Sequence, residues 1–80
     1  MHETHIIENI LGFLEKEERD SSRQIGKIYV SLSEFGGLSE EHFMEHYRHK
    51  TKGTKWETLE IEVNKIPYGP ELEVTKIEFK

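Results

Sequence analysis

The sequence predicts an α+β domain, with two helices packed on a three-stranded mixed sheet in the order α-β-α-β-β. Three observations predict it. Apolar residues recur three and four apart around residues 6–14 and again at Phe43 and Tyr47, which is the period of a half-buried helix. They alternate singly around Ile28, Leu59 and Leu72, which is the period of a strand. The chain has 80 residues, room for one domain spanning residues 1–80 and no second one.

The first helix is expected over residues 4–20. Ile6, Ile7, Ile10, Leu11 and Leu14 share one face, Phe13 is expected to broaden it, and Glu8, Glu15, Lys16, Glu18 and Arg19 occupy the rest. Gly12 costs such a helix about 1 kcal/mol against alanine, unless a strand packs closely there. Residues 24–33 form the first strand, with Ile28, Val30 and Leu32 on one face and Tyr29 and Ser31 on the other. The glycine pair in Phe35-Gly36-Gly37-Leu38 makes a turn. Ser39 is the expected N-cap of the second helix, with Glu40 and Glu41 at its positive end. Phe43 and Tyr47 give that helix its buried contact, and Lys50, Lys52 and Gly53 stop it.

Residues 58–65 form the second strand, with Leu59, Ile61 and Val63 pointing one way and Glu60 and Glu62 the other. The segment Ile66-Pro67-Tyr68-Gly69-Pro70 is a turn. Leu72 and Val74 open a third strand that ends with Ile77 and Phe79. The apolar parity slips between Val74 and Ile77, which calls for a bulge or burial on both faces. The short link between the last two strands is expected to make an antiparallel hairpin. The strand–helix–strand crossover makes the first two strands parallel, hence a mixed sheet.

Composition excludes several functions. There is no cysteine, which removes disulfides, cysteine-ligated zinc, iron–sulfur clusters and thiol catalysis together. The net charge is −5 with no basic block, which argues against a nucleic-acid backbone binder. No apolar run approaches the length of a membrane span. The first residues have neither the basic nor the apolar part of a signal peptide, so a cytoplasmic protein is expected. No serine stands in a Gly-x-Ser-x-Gly elbow, and Gly36-Gly37 is no phosphate loop. Glu57, Glu60, Glu62, Glu71, Glu73 and Glu78 read as a solvated sheet face that discourages edge-to-edge aggregation. Trp56, grouped with Tyr68, reads as core in preference to an exposed patch.

Two groups of residues have metal-binding chemistry. In Met1-His2-Glu3 the α-amine, the following amide nitrogens and the imidazole lie within one short chelating segment. Cu(II) and Ni(II) favour square-planar nitrogen donors of that kind. The amine titrates near 7.7–8.0 and histidine near 6.5 in unperturbed peptides, so both donors become available around neutral pH. The bland alternative is a floppy terminus with this spacing by accident. The second group is His42, His46 and His49, within about 60° of arc on the second helix at 100° per residue. Here the bland alternative, three exposed histidines on a polar flank, is preferred. His42-Phe43-Met44-Glu45-His46 lacks the glutamate that a metalloprotease places after its first histidine.

Taken together, these segments resemble HypA, the nickel-incorporation metallochaperone family of hydrogenase maturation. The resemblance starts with Met1-His2-Glu3, the family's opening, and runs through the apolar helix of residues 6–14. It continues in Ile25-Gly26-Lys27-Ile28-Tyr29-Val30-Ser31-Leu32 and in Glu34-Phe35-Gly36-Gly37-Leu38, which is similar to the family's Gly-Glu-Leu-Ser-Gly-Val. Lys52-Gly53-Thr54-Lys55-Trp56-Glu57-Thr58-Leu59-Glu60-Ile61-Glu62 resembles a family stretch in which Gly-Thr precedes Leu-Glu-Ile-Glu. Pro67 and the closing Glu71-Leu72-Glu73-Val74-Thr75-Lys76-Ile77-Glu78 fit as well.

The resemblance implies the family's nickel-binding domain. His2 would be the essential nickel ligand, joined by the Met1 amine and the backbone nitrogens of His2 and Glu3, with the Glu3 side chain in support. It implies a carrier, not an enzyme, that acts with a partner GTPase to deliver nickel to a hydrogenase precursor or to urease. The family inserts a zinc domain with two Cys-x-x-Cys pairs between its last two strands. Here Pro67-Tyr68-Gly69-Pro70 closes that gap, so nickel is expected and zinc is not. Ser39 also stands where some members carry aspartate. The alternative is a protein-interaction module that kept the fold without metal delivery.

Overall fold

A computed structural model describes residues 2–80, with side chains from residue 5 onward. The elements are α1 (His2–Ser21), β1 (Ile25–Ser33), α2 (Glu40–Thr51), β2 (Glu60–Ile66) and β3 (Leu72–Phe79). The fold is the expected α+β one, with a three-stranded mixed sheet of order β2-β1-β3. β1 runs parallel to β2 and antiparallel to β3.

The expected hairpin is not formed. β2 and β3 lie on opposite sides of β1, and their link crosses the end of β1 instead of turning back beside it. Ser33 N–H donates to the Glu71 carbonyl at 3.1 Å, on one side, and Glu34 N–H donates to the Ile66 carbonyl at 2.8 Å, on the other. The physical reason lies in β1. Ile28, Val30 and Leu32 are buried, and Ser31 and Ser33 are buried as well. A strand with so little charge belongs in the middle, and the glutamate-bearing β2 and β3 suit the edges.

The parity slip in β3 is a bulge. Tyr29 pairs with Lys76 and Val30 with Val74, so Thr75 is the extra residue, and its Oγ1 donates to the Tyr29 carbonyl at 3.2 Å. A second register shift lies between Ile25 and Lys27, where Gly26 is extra. Together the bulges bring Ile25, Ile28, Val30 and Leu32 opposite Phe79, Ile77, Val74 and Leu72, which places both apolar sets on one face.

That face receives Ile7, Ile10 and Leu14 of α1, Phe43 and Tyr47 of α2, and Leu38 and Trp56 from the connections, in one core cluster. Phe13 does not join them and is 42% exposed. No strand approaches Gly12, around which there is open space. In α2 the cap is as expected: Ser39 Oγ accepts from His42 N–H at 3.1 Å. The Phe43 and Tyr47 rings lie 6.2 Å apart. β2 starts at Glu60, two residues later than expected, because turns through Thr54, Trp56 and Leu59 hold the chain off the sheet.

Candidate metal centre

The helix reaches further back than its apolar pattern showed. Its backbone is helical from His2, so the His2 and Glu3 amides fall in the first turn. First-turn N–H groups have no intrahelical acceptor. They can therefore be given up to a metal without breaking a helical hydrogen bond. Met1 itself, and the side chains of His2 and Glu3, lie outside the described residues.

Behind this terminus the first half of α1 is tied to the end of α2. Lys50 Nζ donates to Glu8 Oε2 at 2.9 Å. That hydrogen bond and the charge of Lys50 hold the Glu8 carboxyl below its ordinary range. The far end of α1 is fastened by Glu18, whose side chain is 13% exposed. It accepts Ile25 N–H at 2.7 Å and Lys55 Nζ at 2.6 Å. The Lys55 bond first, and the Ile25 bond second, lower its pKa. The start of α1 is thus carried on a helix anchored at two levels.

His42, His46 and His49 are all exposed on α2. Among the described residues no three His, Cys, Asp or Glu side chains converge to hold a metal ion. His42 borders a hollow with Glu40, Glu41, Glu45 and Arg48, whereas His46 and His49 border another with Glu45, Arg48 and Lys52. Cations beside imidazoles work against holding a cation there.

Of the carboxylates read as a solvated sheet face, Glu60, Glu62, Glu73 and Glu78 lie on the strands, and Glu57 and Glu71 lie just outside them. Lys27 Nζ lies 3.1 Å from Glu62 and 3.5 Å from Glu60. The Glu62 bond, followed by contact with Tyr29, raises the Lys27 pKa. Trp56 is core, as expected, with its indole N–H 3.4 Å from Glu15 Oε2. Its grouping with Tyr68 is corrected: Tyr68 stacks instead on Phe35, with ring centroids 5.8 Å apart. Each of these two rings stands beside a Gly or Pro turn, and that placement was the available signal in the sequence.

No protein-family model matches the chain, and no curated protein matches it. Among the described residues no helix is long and apolar enough to cross a membrane.

Proposed function

We propose that this chain is a HypA-like nickel-binding accessory protein, not an enzyme, that holds Ni(II) at Met1, His2 and Glu3. The donors are the Met1 amine, the His2 imidazole and the amides of His2 and Glu3. Nickel is its cargo, released when a maturation GTPase or nickel-enzyme precursor offers better ligands. The observation that carries the reading is the start of α1 at His2, which leaves both amides free of helical partners. The positive end of the helix adds to this by favouring loss of an amide proton. The α-β-α-β-β order and mixed sheet agree with the fold that the resemblance implies. Copper binds such donors more tightly than nickel, so selectivity in cells falls to metal supply and partner docking.

The test is nickel titration of protein with a free Met1 amine, beside His2→Ala and beside protein with one residue added before Met1. The proposal expects one square-planar, diamagnetic Ni(II) per chain, abolished by both changes. Equal binding by all three proteins would move the metal to His42, His46 and His49. Binding no tighter than millimolar in any of them would leave the interaction module as the function.

A further inference from the structure

Of the described large apolar side chains, Phe35 and Tyr68 are the most exposed, at 75% and 80%. They are nonetheless ordered against each other, stacked at 5.8 Å with their planes 29° apart. Their loops are clasped by the Ser33–Glu71 and Glu34–Ile66 bonds and by Gly36 N–H donating to the Ser33 carbonyl at 3.2 Å. Gly36 suits that clasp, since a Cβ there would stand 3.1 Å from Glu71 Cγ and 3.3 Å from its Cα, a close fit that the neighbouring loop would have to yield to. The result is a stacked aromatic pair in water on loops tied by backbone hydrogen bonds, and a surface ordered in advance loses little entropy on binding.

Charge identifies what the platform suits. Glu34, Glu40, Glu41, Glu71 and Glu73 gather at this end, and none forms an ion pair among the described residues. Elsewhere Glu8 pairs with Lys50, Glu18 with Lys55, Glu60 and Glu62 with Lys27, and Glu78 with Lys76, while Glu15, Glu17, Glu45 and Glu57, also without an ion pair among the described residues, stand apart from this group along the chain. Lys65 lies on the rim of a hollow of about 300 Å³ that Glu34 and Glu40 also line, and Arg48 borders another with Glu40 and Glu41, so five carboxylates face two cations there. Some of the aromatic rings already carry a cation. Tyr29 has Lys27 at 4.6 Å, Trp56 has Lys55 at 4.8 Å and Phe79 has Arg23 at 5.2 Å. None of the cation–ring contacts of the described residues falls on Phe35 or Tyr68.

We infer that this end of the domain docks a basic segment of a partner protein, with an arginine lying on the Phe35–Tyr68 pair. Arginine fits better than lysine, because its planar guanidinium stacks on a ring while its N–H groups reach flanking carboxylates. Glu34 and Glu71, which adjoin the two rings, supply those acceptors. This surface is independent of the nickel reading: it lies on the loops at the ends of β1 and β2, and its test contains no metal.

A displayed library of random dodecapeptides is selected on the intact chain and counter-selected on the double variant Phe35→Ala, Tyr68→Ala. Both rings are exposed, so the double variant should keep the wild-type circular dichroism and melting temperature. The expected peptides carry at least one arginine and net positive charge. Their affinity should fall at least tenfold in the double variant and several-fold in Glu34→Gln, Glu71→Gln, and should weaken as salt is raised. Amide shifts on binding should map to Gly36, Gly37 and Gly69. Three results would overturn the inference: no enrichment over the double variant, enriched peptides without cations, or shifts confined to α2 or the free sheet face. A dimer of the chain alone that the double variant dissolves would also overturn it, in favour of a second copy as occupant.

Discussion

Replacing Glu18 with alanine should destabilise the domain by about 2–3 kcal/mol. Most of that comes from one atom. Ile25 is 4% exposed, and its N–H donates to Glu18 at 2.7 Å. Losing the acceptor strands a buried donor, which costs roughly 1–3 kcal/mol. The Lys55 pair adds only about 0.5 kcal/mol, because the Lys55 side chain is 62% exposed. For a domain of this size the total lowers the urea midpoint by about 2 M at unchanged slope and the melting temperature by roughly 10–20 °C. Glu18→Gln keeps an acceptor for Ile25 and should cost only about 1 kcal/mol. The two variants should also differ from wild type in pH response. The folded carboxyl titrates below the ordinary 4.5, so between those two values the unfolded chain binds more protons. The stabilisation is therefore complete above about 4.5 and is lost as pH falls through the lower, folded value. Glu18→Gln should lack that part of the acid-side slope. An alanine variant within about 0.5 kcal/mol of wild type, the scatter of ordinary surface changes, would refute this account of the α1–β1 joint.

Other substitutions check other parts of the structure. Phe43→Ala removes a fully buried ring of the core and should cost about 3–5 kcal/mol in chemical denaturation. Tyr47→Phe deletes a 2.7 Å bond from the phenol to the Trp56 carbonyl. That carbonyl keeps Leu59 N–H at 3.3 Å, so the loss should be about 1 kcal/mol. Ser31→Ala should leave stability unchanged or slightly raise it, because the buried Oγ has no hydrogen-bond partner; a loss above about 1 kcal/mol would reveal a partner for that hydroxyl. Replacing His42, His46 and His49 together by alanine should leave nickel stoichiometry and the square-planar spectrum intact. Nickel affinity should decline as pH drops below about 8, where the amine protonates, and more steeply below about 6.5, where the imidazole does too.

Local features of this fold were legible because local chemistry decides them. Ser39 before two glutamates announced its own cap. The slip between Val74 and Ile77 called for a bulge or burial on both faces, and the structure answers with the extra residue Thr75. The arrangement of β2 and β3 was not legible from the same kind of reasoning. A five-residue link serves a hairpin or a bridge over a neighbouring strand equally well, and the alternation of Glu60–Ile66 is the same in either. What separates the two is competition for β1, whose uncharged Ile28-Tyr29-Val30-Ser31-Leu32-Ser33 run was the available clue. The stacking of Phe35 on Tyr68 depends on that bridge and was hidden with it. At the candidate metal centre, the chelating spacing of Met1-His2-Glu3 could be read from residue types alone. The start of α1 at His2 could not, because the apolar stripe begins only at Ile6.

The bridge from β2 to β3 also orders the assembly of the sheet in time. Joining β1 to β2 closes a loop that contains all of α2, since Lys27 meets Glu60. Once that is done, β3 is tethered by the segment from Pro67 to Glu71, just beyond the far end of β1. Closing so short a loop costs roughly 2 kcal/mol less than the first closure. The arrival of β2 is then the slow, committing event, and β3 follows it as a zipper follows its first tooth. Until it does, β1 has a bare edge, so the interval between the two pairings is when the growing chain is most open to capture by a neighbour.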